Sequence, residues 1–137
     1  MGHNMNIDQI GAAWSSRAQG LLRIITGLFL LEHGTTKHLG FPLTDMSSVP
    51  SFSLIGIAGW IELIGGALLL IGLFTRPVAF VLSGFAAVAY FYIHFPNSVF
   101  PIQNGGELAA LYSFVCLFFA AAGPGAWSVD GARAKAA

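Results

Sequence analysis

The chain has 137 residues, of which 55% are hydrophobic and only 9% charged, with no formal net charge and a single cysteine. A soluble domain carries about 25% charged residues, so this composition belongs in a bilayer, and the zero balance removes a general electrostatic case for nucleic acid. Cys116 alone excludes an intrachain disulfide, a CxxC pair and a cysteine metal cluster.

Residues 1–16 mix polar and apolar side chains and read as an interfacial segment or a free tail. Ile7, Ile10 and Trp14 recur at helical spacing, and Trp14 suits a membrane interface. The order of a signal peptide is missing, so the first hydrophobic segment is expected to be retained as a helix. Gly2 has no Ser or Thr at position 6 behind it and makes a poor myristoylation signal.

Segment one, 17–38, is the least apolar span and carries Arg23, Glu32, His33 and Lys37. At about 100° per residue, Arg23, Gly27, Leu30, Gly34 and Lys37 share one face. Glu32 lies roughly opposite Arg23, so these two cannot pair within the helix. Arg23 either snorkels or meets a partner on another helix, and Lys37, near the segment end, snorkels by default. A Gly-, Pro- and Ser-rich loop over 40–50 follows.

Segment two, within 51–76, is long enough to cross a hydrocarbon core of about 30 Å. Glu62 sits well inside it, on a stripe shared with Gly59, Gly66 and Leu73, with Arg76 close to the same line. An acid at that depth costs on the order of 3 kcal/mol unless protonated, paired or turned inward, and the glycines let another helix approach. Pro77 ends this segment and opens segment three, 77–95, where Ser83, Ala87, Tyr90 and His94 line one face. Tyr90 and Tyr92 suit an aromatic belt. After a polar turn over 96–105, segment four runs over 106–123, with Asn104 and Glu107 spaced as a capping box. Gly123-Pro124-Gly125 breaks it, Trp127 reads as an interface anchor, and 131–137 reads as a free tail.

The expected fold is all-α: an integral membrane four-helix bundle, up-down-up-down, over 17–130, flanked by the segments 1–16 and 131–137. Arg17, Arg23, Arg76, Arg133 and Lys135 fall on the side of both termini and Lys37 alone on the other. The positive-inside rule therefore puts both termini in the cytoplasm of a multi-pass inner (plasma) membrane protein. The opposite ends of the four helices would then gather Glu32, His33, Lys37, His94 and Glu107, with Glu62 deeper from the same side.

Several chemistries compete for that cluster. A haem between His33 and His94 lacks a motif, and a metal among Glu32, His33, His94 and Glu107 lacks a diagnostic spacing. Aromatic walls from Tyr90, Phe91 and Tyr112 beside histidine and carboxylate suit a quinone headgroup. A structural alternative pairs Glu62 with Arg23 as internal glue. Cys116 reads as a small buried hydrophobe.

Four blocks carry a resemblance: LLRIITGLFLLEHGTTKHLGF (21–41), ELIGGALLLIGLFTRPVA (62–79), NGGELAALY (104–112) and GPGAWSVD (123–130). Together they resemble the DoxX family of small four-helix membrane proteins. The resemblance covers Arg23, His33, Gly34 and Lys37 of helix one, Glu62, Gly65, Gly66, Thr75 and Arg76 around helix two, and Asn104 and Glu107 of helix four. Glu32 before His33 departs from it. The resemblance implies membership of membrane assemblies, since some relatives are similar to the small subunit of thiosulfate:quinone oxidoreductase or join sulfur- or superoxide-handling enzymes. More distant four-helix relatives act in assembly or trafficking. With no cysteine pair and no soluble cofactor domain in the sequence, the expected role is an accessory subunit rather than an independent catalyst. That subunit would work as a homo-oligomer or in a larger complex, with Glu62 and His94 as proton-linked groups and Arg23 and Lys37 as charge partners. The competing reading is a scaffold that docks a membrane partner without redox chemistry. Transport is disfavoured because four helices leave little room and no inverted repeat is evident.

Overall fold

Residue 6 starts the first helix earlier than the hydrophobic pattern alone implies. Asn6 caps it, its side chain accepting from the Gln9 amide at 2.9 Å while the Gln9 side-chain oxygen accepts from the Asn6 backbone N–H at 3.0 Å. α1 then runs unbroken over Ile7–Leu39, 33 residues, so most of the expected interfacial tail is helix continuous with segment one. The computed structural model describes residues 4–137, and the myristoylation reading at Gly2 lies outside them.

α2 covers Leu54–Ile71, capped by Ser53 and closed by Gly72 in the left-handed region at φ 69°. The segment therefore ends before Thr75-Arg76-Pro77, contrary to expectation: glycine takes the positive φ without strain and stops the helix first. Arg76 belongs to the first turn of α3, Thr75–Ala89, and not to the Glu62 stripe. Its guanidinium donates to the Ala120 and Ala121 carbonyls, at the end of the fifth helix, where a cation complements the helix dipole. α3 widens into a π turn at Tyr90–His94 and tightens at Phe95–Asn97. A short α4, Pro101–Asn104, leads into α5, Glu107–Ala122.

The capping box expected at the start of α5 does not form. Asn104 ends α4, and Gly106 takes the N-cap position without a side-chain bond. Glu107 is thus the first residue of α5, exposed, with its charge still at the helix N-terminus. The expected free tail also folds, as α6, Val129–Ala136.

The helices associate in two antiparallel pairs. α1 lies along α2 with backbones in direct contact: a Cβ on Gly27 would meet the Leu70 amide nitrogen at 2.5 Å, and one on Gly66 the Leu31 nitrogen at 2.5 Å. That is the close approach small residues permit between helices in lipid. α3 lies along α5, joined by Ser83 Oγ donating to the Ser113 carbonyl at 2.7 Å and Ser113 Oγ returning to the Ser83 carbonyl at 3.0 Å. Leu30, Leu69, Ala79, Leu82, Ala86, Tyr112, Cys116 and Phe119 fill the space between the pairs. No strand is present among the described residues, which makes the fold all-α. Two stretches, Leu54–Ile71 and Thr75–Asn97, are long and apolar enough to cross a membrane.

Candidate functional site

Lys37, on the glycine-bearing face of α1, reaches Glu62 in the middle of α2. Its Nζ stands 2.5 Å from Glu62 Oε2, and the two side chains are only 7% and 10% exposed. The glycine stripe makes this fit: a Cβ on Gly59 would meet Lys37 Cδ at 3.0 Å. Lys37 therefore does not snorkel but neutralises Glu62, the one buried carboxylate among the described residues, and Glu62 does not pair with Arg23.

Beside this pair, His38 stacks on Trp60 at a 3.9 Å centroid distance, and its Nε2–H donates to the Gly56 carbonyl at 2.8 Å. Sequence reasoning missed His38, since a histidine at a helix end carries no motif. On the other helix pair, His94 donates from Nδ1 to the Asn104 carbonyl at 3.1 Å. The Asn104 side chain accepts from the Gly106 amide at 2.7 Å and donates to the Ser98 carbonyl at 2.9 Å and to Tyr90 Oη at 3.3 Å. Asn104 thus orders the turn instead of capping α5. His33 is exposed and meets Tyr112 of α5 edge-on at 6.4 Å. Glu32 and Glu107 are exposed, and their side chains make no hydrogen bond among the described residues. The expected single cluster is therefore divided: Lys37–Glu62 inside, His94–Asn104–Tyr90 at the neighbouring turn, and Glu32, His33 and Glu107 outside. Glu32, His33, His94 and Glu107, the residues weighed and set aside as metal ligands, do not form a group of three or more among the described residues.

Arg23 occupies the opposite end. It is fully buried and does not snorkel. Its Nη1 donates to the Pro124 carbonyl and, at 3.0 Å, to that of Ala126, while Nη2 donates to Trp127 at 2.6 Å. Gln19 Nε2 adds a bond to the Gly123 carbonyl at 2.8 Å, and the Ala126 amide donates to the Ser16 carbonyl at 2.9 Å. The Gly-Pro-Gly turn is thereby clamped onto α1. Just beyond it, Asp130 accepts from the Phe74 amide at 2.9 Å and the Thr75 amide at 2.8 Å, capping α3. Burial pushes the Asp130 carboxyl up, but the Thr75 and Phe74 amides and the Arg133 charge outweigh it and hold it below its usual value. Its stabilising contribution is complete above the ordinary carboxylate range and is lost as pH falls through the lowered value.

An apolar groove of about 410 Å³ opens between α2 and α3, lined by Ile64, Leu68, Val78 and Val81 among others. Its only side chain with a hydrogen-bond donor is that of Trp60, which already donates to the Ser51 carbonyl at 3.2 Å. It suits acyl chains rather than a polar headgroup.

All-helical architecture, apolar outer faces and three charges buried inside, Arg23, Lys37 and Glu62, define an α-helical membrane protein. The chain belongs to the DoxX family, whose profile matches residues 18–95, from the first half of α1 through the π turn. It is 45% identical over 114 residues to an uncharacterized protein of Haemophilus influenzae, spanning 80% of this chain and 85% of that one. It is also 45% identical over 62 residues to a Bacillus subtilis protein called putative oxidoreductase CatD, spanning 42% of this chain and 46% of that one. No solved structure matches.

Proposed function

We propose that the protein crosses the inner membrane four times, with both termini in the cytoplasm, as a small non-catalytic subunit of a redox assembly that contacts quinone near Lys37 and Glu62. Helix lengths support the four spans. At about 1.5 Å per residue, α2 with its 18 residues is about 27 Å long and α5 with its 16 about 24 Å, close to the ~30 Å core, and α1 has length to spare. Arg17, Arg76, Arg133 and Lys135 at one end against Lys37 at the other support the orientation.

The observation that carries the reading is the buried Lys37–Glu62 pair. Apolar side chains of similar volume would hold two helices at least as well as a buried ion pair, and ionisable groups at membrane depth mark functional sites by default. The oxidoreductase name of the Bacillus relative points the same way. His94 and Arg23 hold the turns at either end of the bundle in this reading, and Glu32, His33 and Glu107 line its outer rim. Protein isolated from native membranes is expected to carry extractable quinone, and the Glu62→Gln variant to carry none. A clean native preparation lacking quinone overturns the redox role.

A second reading, a scaffold that docks a partner, draws on the first turns of α1. Residues 4–18 are all exposed, and Ile7, Ile10 and Trp14 form an apolar strip there, with the Arg17 guanidinium over the Trp14 ring at 4.7 Å. Association with one stoichiometric partner, unchanged by Glu62→Gln, would select it.

A further inference from the structure

The groove between α2 and α3 is open to the surroundings, since Ile64 and Val81 on its two walls are 59% and 60% exposed. From Trp60 to Leu68 along α2 it runs about 12 Å at 1.5 Å per residue. A short turn joins the two helices, so Leu68 and Pro77 lie at its turn end and Trp60 at the far end.

The turn end carries a free cation. The Phe74 carbonyl accepts from the Val78 amide at 3.0 Å, which puts Phe74 one helical turn from the groove wall. Asp130 fastens α6 to the Phe74 and Thr75 amides, and α6 lays the Arg133 guanidinium over the Phe74 ring, 5.6 Å from its centroid. Arg133 is exposed, and its side chain makes no hydrogen bond or ion pair among the described residues. Both Asp130 oxygens already accept from backbone amides. The planar fork of the guanidinium is therefore open to an oxyanion. Lys135 projects from nearly the opposite side of α6, about 200° round from Arg133.

Charge and shape together select the occupant. A small free anion would leave the groove empty. A second copy of this chain would bring a helix, but Gly27, Gly34 and Gly66, which permit close helix contact, already serve the α1–α2 packing. At the groove, branched Ile64 and Val81 stand where a further helix would have to approach. A molecule with an apolar chain and an anionic head matches both parts. We propose that the α2–α3 groove and Arg133 hold one anionic phospholipid, with an acyl chain along Ile64, Leu68, Val78 and Val81 and the phosphate accepting from the Arg133 guanidinium. In the proposed topology this end faces the cytoplasm, so the lipid comes from the inner leaflet, whose anionic headgroups basic side chains attract. The site lies apart from the Lys37–Glu62 pair and is independent of the quinone contact.

The test is native mass spectrometry of the full chain, titrated in detergent with phosphatidylglycerol and with phosphatidylcholine of identical acyl chains. Wild type is expected to bind phosphatidylglycerol about tenfold more tightly, the effect of one charge-assisted contact. Arg133→Gln is expected to abolish that preference, whereas Lys135→Gln, with the same loss of charge on the other side of α6, keeps it. Val81→Trp, which fills the groove from an exposed position, is expected to weaken binding of both lipids several-fold, and Ile64→Trp to do the same from the opposite wall. Equal or absent binding of the two lipids by wild type overturns the proposal. Loss of the preference in Lys135→Gln as much as in Arg133→Gln overturns it too, because general attraction to basic charge then suffices. So does lipid binding unchanged in both groove variants. A dimer that Val81→Trp breaks, with no headgroup preference, overturns it in favour of a second copy in the groove.

Discussion

At the residue scale, two cations decide the interior. Lys37 and Arg23 share a face of α1, yet one meets a carboxylate and the other a fork of carbonyls. The difference follows from chemistry: a planar guanidinium spreads several donors across a turn, and a compact ammonium suits one acid. Breaking the Lys37–Glu62 pair from one side strands a charge and is expected to cost about 3–5 kcal/mol, whereas replacing both partners by apolar groups is about neutral. Lys37→Met is therefore expected to lower the unfolding midpoint in nanodiscs sharply, and Lys37→Met with Glu62→Leu to restore it. Recovery in the double variant would separate the stability of the pair from its ligand chemistry, since quinone binding should stay lost. The burial of Glu62 was legible in the sequence, because its glycine stripe faces inward at helical spacing. Its partner was narrowed only to Arg23 or Lys37, because snorkelling and pairing leave the same pattern at Lys37, and the packing of Gly59 against the lysine stem separates them.

At the element scale, glycine placement sets which helices touch. Gly27→Ala is expected to force α1 and α2 apart, since the new methyl would stand 2.5 Å from a backbone nitrogen of Leu70. Gly84→Ala on α3, with nothing within 4 Å, is expected to be tolerated. Unfolding curves of the two variants in one detergent should differ by several degrees, with Gly27→Ala the lower. Helix identity was readable along the chain, but ends were not. Proline at position 77 masks the earlier stop at Gly72, and Asn104 three residues before Glu107 has the spacing of a capping box while its side chain serves a turn. The C-terminal segment hid its role for a different reason. Asp130 acts on Phe74 and Thr75, more than fifty positions away, and no local pattern encodes such a bond.

At the scale of the whole molecule, the two ends of the bundle are built unlike each other. One end gathers Arg23, the Gly-Pro-Gly turn and Asp130 into a hydrogen-bonded seal, and the other holds the ion pair, Tyr112 and the ordered turn around Asn104. In the proposed topology the seal faces the cytoplasm. Single cysteines at Ala137 and Ser48, placed in a Cys116→Ala background, are expected to react with an impermeant maleimide on opposite faces: Ser48 in intact cells, Ala137 only after lysis.

The Arg23 clamp also orders events in time. Its acceptors lie 101 to 104 positions downstream, so in the proposed topology the guanidinium would enter the bilayer before the ribosome has made the carbonyls that will receive it. Until then the nascent first span of that topology would carry an unanswered cation. A chain released before Pro124 lacks all three acceptors and leaves that cation unanswered for good.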